Sequence, residues 1–148
     1  MSLAPIGLST YSRLLHLKKT IEALKANTLA KESDLHIFSD GAKQGDEERV
    51  EAVRKYIDTI DGFKNVQVII RTKNSRVRNN RDGISELLEK FGKCIYLEED
   101  IVTAPGFLKF MNESLNVYEK KDKIKGLKMI YEPKYLRFFQ ARFERVPI

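Results

Sequence analysis

Two hydrophobic periods take turns along the chain. Residues 5–10, Pro-Ile-Gly-Leu-Ser-Thr, form a short apolar run ending in small polar residues, the pattern of a buried strand that surfaces. Between about residues 12 and 26, Leu14, Leu15, Leu17, Ile21 and Leu24 recur at helical spacing, with Lys18, Lys19, Glu22 and Lys25 on the wet side. Residues 35–39 alternate weakly and stop at Asp40-Gly41, a strand followed by a turn signal. A second amphipathic helix is expected over 46–60, through Val50, Val53, Ile57 and Ile60, and the β-branched run 66–70 predicts a third strand. After a polar stretch, Ile84, Leu87, Leu88 and Phe91 mark a third helix that ends near Gly92, a residue suited to a left-handed cap. Residues 94–97 predict a fourth strand. Residues 107–118 predict a fourth helix with Phe107, Leu108, Phe110, Met111, Leu115 and Tyr118 inward, and a further strand is expected at 128–131.

Strand and helix thus alternate four times, with helices long enough to cross back over a sheet. The economical arrangement is an α/β fold of three layers, a mainly parallel sheet with helices on both faces. In such sheets ligands bind outside the carboxyl ends of the strands, where the strand order reverses. The chemistry is therefore sought at the strand ends. No internal repeat, low-complexity segment or linker divides the sequence, and a chain of 148 residues is about one domain, so residues 1–148 are read as a single one.

Composition sharpens this picture in three places. With 42% hydrophobic and 32% charged residues the chain belongs with globular rather than disordered or fibrous proteins. No stretch reaches the roughly 18 apolar residues of a membrane span, and the first residues lack the basic start and long apolar centre of a signal peptide. A cytoplasmic protein is expected, with peripheral contact to a membrane left open. The net charge of +6 is uneven: residues 120–148 hold nine Lys or Arg against three acids and account for all of it. That basic segment suits a polyanion, and equally an ordinary solvated face. The lone cysteine, Cys94, sits in an apolar run with no histidine near it in sequence, and reads as a packed core thiol.

At the strand ends stand Ser9-Thr10-Tyr11-Ser12-Arg13, Ser39-Asp40-Gly41, Arg71-Thr72-Lys73-Asn74 and Glu98-Glu99-Asp100. The chain has neither GxGxxG after the first strand nor GxxxxGK[ST], which removes the main support for a dinucleotide or P-loop site. His16 and His36 have no Cys or His partners at zinc-ligand spacing. The acidic triplet has two readings. Acids before a helix start suit its dipole, and Pro105 sits where a first turn would begin. Alternatively, alternation puts Glu98 and Asp100 on one side, where a divalent cation relieves their repulsion together with substrate phosphates. Residues 71–81 carry five cations in eleven positions, and suit either a solvated loop and first helical turn or a grip on phosphate and ribose beside a helix N-terminus. They hold no aromatic for base stacking, so nucleic acid is disfavoured as a partner. Asp40 before Gly41 is either a turn former or an acceptor for a nucleotide base.

Taken in order, these strand ends resemble the nucleotide-sugar-binding domain of glycosyltransferases of the GT-A fold, above all the family 2-like enzymes and relatives of N-acetylglucosaminyltransferase I. The matching residues are Leu8-Ser9-Thr10-Tyr11-Ser12-Arg13 with Leu17, then Ile37-Phe38-Ser39-Asp40-Gly41, then residues 74–83. Last comes Tyr96-Leu97-Glu98-Glu99-Asp100-Ile101 with Pro105, Phe107 and Leu108, the most specific block, since the family's DXD-like acidic motif is typically followed by a small residue, Pro and a Phe-Leu helix start. The resemblance covers about residues 4–120. It implies a transferase moving a sugar from a nucleotide-diphosphate sugar, a UDP-sugar above others, to a glycan or lipid hydroxyl with inversion. It implies that Thr10, Tyr11 and Arg13 line the nucleotide pocket, that Asp40 contacts the base, and that Asn74, Arg78 and Asn80 lie near the diphosphate or sugar. Asp100 then coordinates Mn2+ or Mg2+, with Glu98 and Glu99 orienting donor and metal. Two positions depart from the pattern: Glu99 stands where the motif usually has Asp, and Arg76 where a Gly is common. The chain ends 48 residues after Asp100, short of the family's usual acceptor-binding elements, which leaves open a truncated domain and the identity of the catalytic base.

Two rivals remain: a nucleotidyltransferase of similar fold, and a non-catalytic module whose segment 120–148 binds polyanions. Homo-oligomers are a further expectation, through an open sheet edge or the pair Phe138-Phe139.

Overall fold

The computed structural model describes residues 2–119 and 127–128. The strands are β1 (Ile6–Thr10), β2 (Asp34–Ser39), β3 (Asn65–Ile70), β4 (Ile95–Glu98) and the two-residue β5 (Leu127–Lys128). The helices are α1 (Leu14–Lys25), α2 (Glu47–Ile57), α3 (Arg76–Phe91) and α4 (Phe107–Glu119), with a 3-10 turn at Ala30–Glu32. All neighbouring strands pair in parallel, in the order β3-β2-β1-β4-β5. The central strand β1 sits between β2 and β4, so Ile6 faces Leu35 on one side and Ile95 on the other. This is the expected three-layer α/β fold.

Burial follows that order. Every residue of β1 is buried, whereas the edge strand β3 leaves Val68 and Ile70 exposed. A strand covered on both faces reads as continuous apolar sequence, and an edge strand does not. Ile6 and Leu8, Leu35 and Ile37, and Ile95 and Leu97 share one face with Leu17, Ile21 and Leu24 of α1, Val53 and Ile57 of α2, and Phe107, Leu108, Met111 and Leu115 of α4. Phe38, Cys94 and Tyr96 point to the other face, where Leu87 of α3 covers them. Asn27, at the end of α1, ties α4 into this frame: its Oδ1 accepts from the Leu108 N–H (2.9 Å) and its Nδ2 donates to Thr103 Oγ1 (3.2 Å).

Two expected inward residues face out. Leu15 is 72% exposed and Phe110 43%. At about 100° per residue, Leu15 lies opposite the buried arc Leu17, Thr20, Ile21 and Leu24, and Phe110 opposite the seam of Leu108, Met111 and Leu115. The third helix starts earlier than its apolar residues suggest, inside the basic stretch. Ser75, in extended conformation, accepts the Arg78 N–H through its hydroxyl (3.4 Å), and Asn79 N–H donates to the Ser75 carbonyl (2.8 Å). The helix ends as expected, with Gly92 at φ 73° and its N–H on the Leu88 carbonyl. Residues 129–131 of the expected last strand, the Tyr118 side chain, Phe138, Phe139 and the basic segment other than Leu127 and Lys128 lie outside the described residues. Among the described residues, no helix is long and apolar enough to cross a membrane.

Cys94 is buried, and burial pushes its thiol up to about 12, so it packs as a core residue in its protonated form. His36 packs edge-on against Phe91 (5.4 Å between ring centres), and burial lowers its pKa. Helix α3 approaches the sheet closely over Gly7: a Cβ there would stand 2.5 Å from Tyr96 Cδ2 and 2.7 Å from Leu87 Cδ1. Substituting Gly7→Ala is therefore expected to cost about 1–3 kcal/mol through overpacking. The measurement is urea unfolding, in which the midpoint falls while the slope is unchanged.

Candidate functional site

The strand order turns back between β1 and β4, since β2 and β3 lie on one side of β1 and β4 and β5 on the other. A crevice at such a reversal lies outside the carboxyl ends of the two strands. Here those ends carry Thr10, Tyr11 and Arg13 from β1 and Glu98, Glu99 and Asp100 from β4.

Glu99 joins them. Its side chain is 5% exposed, and each carboxylate oxygen has its own donor. The Tyr11 backbone N–H reaches Oε2 at 2.7 Å, and Arg13 Nε reaches Oε1 at 2.9 Å. Thr20 Oγ1 of α1 donates to the Glu99 carbonyl at 2.7 Å, so the same residue is held from both ends. Arg13 then extends Nη2 to Asp100 Oδ2 at 3.0 Å, and the Asp100 side chain is 37% exposed. Burial opposes the charge on Arg13, but the two carboxylates more than offset this and raise its pKa.

The three acids do not crowd one another. Glu98 turns to the α3 face, where Arg76 Nη2 donates to its Oε2 (2.8 Å) and Asn80 Nδ2 to its Oε1 (3.4 Å). Glu99 turns to the β1–α1 loop, and Asp100 to Nη2 of Arg13, next to the Nε that Glu99 holds.

Asp40 is held within the fold by its neighbours. It is 3% exposed, and its oxygens take N–H groups from Gly41 (2.9 Å) and Ser75 (3.0 Å to Oδ1) and the side-chain amide of Asn74 (3.2 Å). Asn74 Nδ2 also donates to the Gly41 carbonyl at 2.9 Å. The loop before α3 lies directly on Gly41, where a Cβ would be 2.5 Å from the Lys73 carbonyl carbon. Asp40 and Asn74 thus lock the end of β2 to the start of α3. The Tyr11 hydroxyl is engaged as well, donating to Asp46 Oδ2 at 2.6 Å and accepting the Lys43 N–H at 3.0 Å. Thr10 Oγ1 is buried at the strand end with no hydrogen-bond partner among the described residues. Arg78 is exposed on the first turn of α3, outside the ion-pair cluster.

Three residues that the sequence did not mark as site residues shape the site. Arg54 donates to Ser39 Oγ and to the carbonyls of Asp40 and Arg71, each at 3.1 Å, and so binds the ends of β2 and β3 together. Asn79, 4% exposed, donates to the Phe38 carbonyl at 2.9 Å. Arg76 pairs with Glu98. A signal existed for the first two: Arg54 falls on the buried arc of Val50, Val53 and Ile57, and Asn79 is four residues before Gly83 and eight before Leu87. A cavity of about 420 Å³ opens beside α2, lined by Ala42, Glu47, Glu48, Val50, Glu51 and Arg54, and none of the sequence-predicted site residues lines it. Among the described residues, no group of three or more His, Cys, Asp or Glu could hold a metal by itself.

Glu99→Ala removes the acceptor for a buried N–H and the partner of Arg13, and is expected to cost about 2 kcal/mol in chemical denaturation. The Tyr11–Asp46 bond gives a pH signature. The Tyr11 hydroxyl holds the Asp46 carboxyl below its ordinary value of 3.8, so its contribution is full above that value and is lost as pH falls through the lower, folded one. Tyr11→Phe should accordingly flatten the acid limb of a stability–pH curve while changing its slope little between pH about 5 and 8.

No protein-family model matches the chain. Short stretches are similar to tyrosine phenol-lyase of Nostoc punctiforme, 79% identical over 28 residues, and to that of Pasteurella multocida, 60% identical over 30 residues. These matches cover 19% and 20% of this chain and only 6% and 7% of the two lyases. A stretch of that length is below the roughly 40 residues that build a core unaided, so the likeness is one of a short segment and shows no family.

Proposed function

We propose that the described fold is the donor-binding domain of a metal-dependent glycosyltransferase, which moves a sugar from a nucleotide-diphosphate sugar to an acceptor hydroxyl. The observation that carries this reading is the meeting of Thr10, Tyr11 and Arg13 with Glu98, Glu99 and Asp100 at the reversal of strand order, joined through Arg13. The resemblance to GT-A enzymes includes these residues together with 37–41, 74–83, Pro105, Phe107 and Leu108.

The donor set fits a cation held jointly by protein and substrate. Glu98 and Glu99 already have side-chain partners within the fold, whereas Asp100 is 37% exposed and has a single ion-pair partner in Arg13 among the described residues. Magnesium and manganese are commonly held by one or two carboxylates together with substrate phosphates and water. Such an ion, held by Asp100, would offset the charge of a departing diphosphate.

The chain's own residues divide the remaining tasks. Asp100 offers the ligand, and Arg13, Arg78 and Asn80 offer donors to phosphate or sugar oxygens. Asp40 and Asn74 act at one remove, by fixing the end of β2 against the start of α3, and Glu99 acts by fixing Tyr11 and Arg13. The acceptor oxygen gives its proton to a carboxylate base and bonds to the anomeric carbon as the bond from that carbon to the diphosphate oxygen breaks, and that pair of electrons leaves with the nucleoside diphosphate.

Calorimetry with UDP and Mn2+ tests the reading. The chain should bind the pair, and Asp100→Ala should weaken metal-dependent binding by tenfold or more, about 1.4 kcal/mol. No binding, or equal binding by the variant, would remove the metal site. UTP or CTP binding more tightly than UDP-sugars would favour a nucleotidyltransferase.

A further inference from the structure

The guanidinium of Arg13 is shared between two carboxylates of unequal mobility. Nε is fixed on Glu99, whose side chain is 5% exposed and whose other oxygen accepts the Tyr11 N–H at 2.7 Å. Nη2 rests on Asp100, whose side chain is 37% exposed. Glu99 cannot turn away without releasing the β1–α1 loop, whereas Asp100 can exchange its partner by giving up the Arg13 ion pair alone, among the described ion pairs. Beside them Glu98 is matched by Arg76, so Arg13 is the cation facing the two remaining acids among the described ion pairs.

We infer that Arg13 is a built-in counter-ion for Asp100, one that keeps this carboxylate from taking a divalent cation until a nucleoside diphosphate arrives, and that then turns its Nη groups to the diphosphate. The inference rests on the donor-site reading given above and concerns the order in which that site fills. A divalent ion on Asp100 would stand within a few ångströms of Arg13 Nη2, where like charges repel. Cation alone must therefore displace a paired guanidinium with nothing to receive it. A diphosphate supplies negative charge for both. With Nε kept on Glu99, the planar guanidinium can pivot about the Nε–H···Oε1 bond, which takes Nη2 off Asp100 while the positive charge remains at the strand ends. Cation and diphosphate then raise each other's affinity by the same factor, as thermodynamic linkage requires.

The test uses the whole chain with Mn2+ alone, UDP alone and both together. In the unaltered protein UDP should raise Mn2+ affinity by about tenfold or more. Arg13→Gln should bind Mn2+ alone severalfold more tightly than the unaltered protein and lose most of that coupling, whereas Arg13→Lys, which keeps the charge, should not gain Mn2+ affinity. A second measurement needs no variant: nitrogen-15 NMR of the arginine side chains with diamagnetic Mg2+ and UDP, in which Arg13 Nη signals shift while its Nε–H stays protected from exchange. If Arg13→Gln binds Mn2+ no more tightly while the unaltered protein binds UDP with Mn2+, the counter-ion role is wrong and the donor-site reading stands. Arg13 Nη signals that stay in place at saturating Mg2+ and UDP overturn the counter-ion role in the same way, even where the variant fails to fold. If the unaltered protein binds no UDP with Mn2+, the donor-site reading falls and takes this inference with it.

Discussion

One buried carboxylate holds the carboxyl ends of β1 and β4 together. Glu99 receives the Tyr11 N–H and Arg13 Nε through its side chain and Thr20 through its carbonyl, so a single residue after β4 fixes the loop that leaves β1 and the second turn of α1. A buried charge is tolerated only where its lone pairs are filled by good donors, and this one has both a backbone amide and a guanidinium. The extra methylene relative to aspartate suits that task, since the carboxylate has to reach across from β4 to the chain beyond β1. The neighbouring acids then fall to either side, Glu98 toward α3 and Asp100 toward solvent. A row of three like charges is thereby divided among three surroundings.

A second clamp works on the same principle at the other side of β1. Asp40 uses its oxygens to bind Gly41, Asn74 and Ser75, and Arg54 uses its guanidinium to bind the ends of β2 and β3. Strand ends in a parallel sheet leave carbonyl and amide groups that no ladder satisfies, and these side chains satisfy them. The polar residues at the strand ends are therefore largely consumed by the fold. The outer layer, chiefly Asp100, Arg13 and the first turn of α3, stays partly exposed to solvent.

Much of the architecture was legible because burial imposes periodicity. Leu17, Ile21 and Leu24 mark the inner face of α1, and the apolar run of β1 marks a strand covered on both sides. The start of α3 was legible only as a helical turn somewhere in the basic stretch 71–81, since its first two turns pack through Asn79 and carry arginines, so no apolar stripe marks the first residue. Leu15 and Phe110 misled because hydrophobicity alone does not say which side of a helix meets the sheet. At the site, residue types and their places at the strand ends could be read, but partners could not. Asp40 bonds to a residue 34 positions away and Glu99 to one 88 positions away, and only the folded topology brings such pairs together. Thus the sequence leaves Asp40 open between a turn former and an acceptor for a base, and the folded chain shows its carboxylate bonded to Gly41, Asn74 and Ser75.

The place of β1 in the sheet also has a bearing on assembly during synthesis. Its first neighbour, β2, is complete by residue 39, but its second, β4, ends at Glu98. A ribosome adding about 5–20 residues per second leaves one edge of the central strand open for several seconds after the other has paired. Contacts this distant in sequence close late, after the loop entropy between them has been overcome. The most buried strand of the finished protein is thus the one whose flank stays bare longest in the growing chain, and the nascent three-stranded half is the species that most needs shielding.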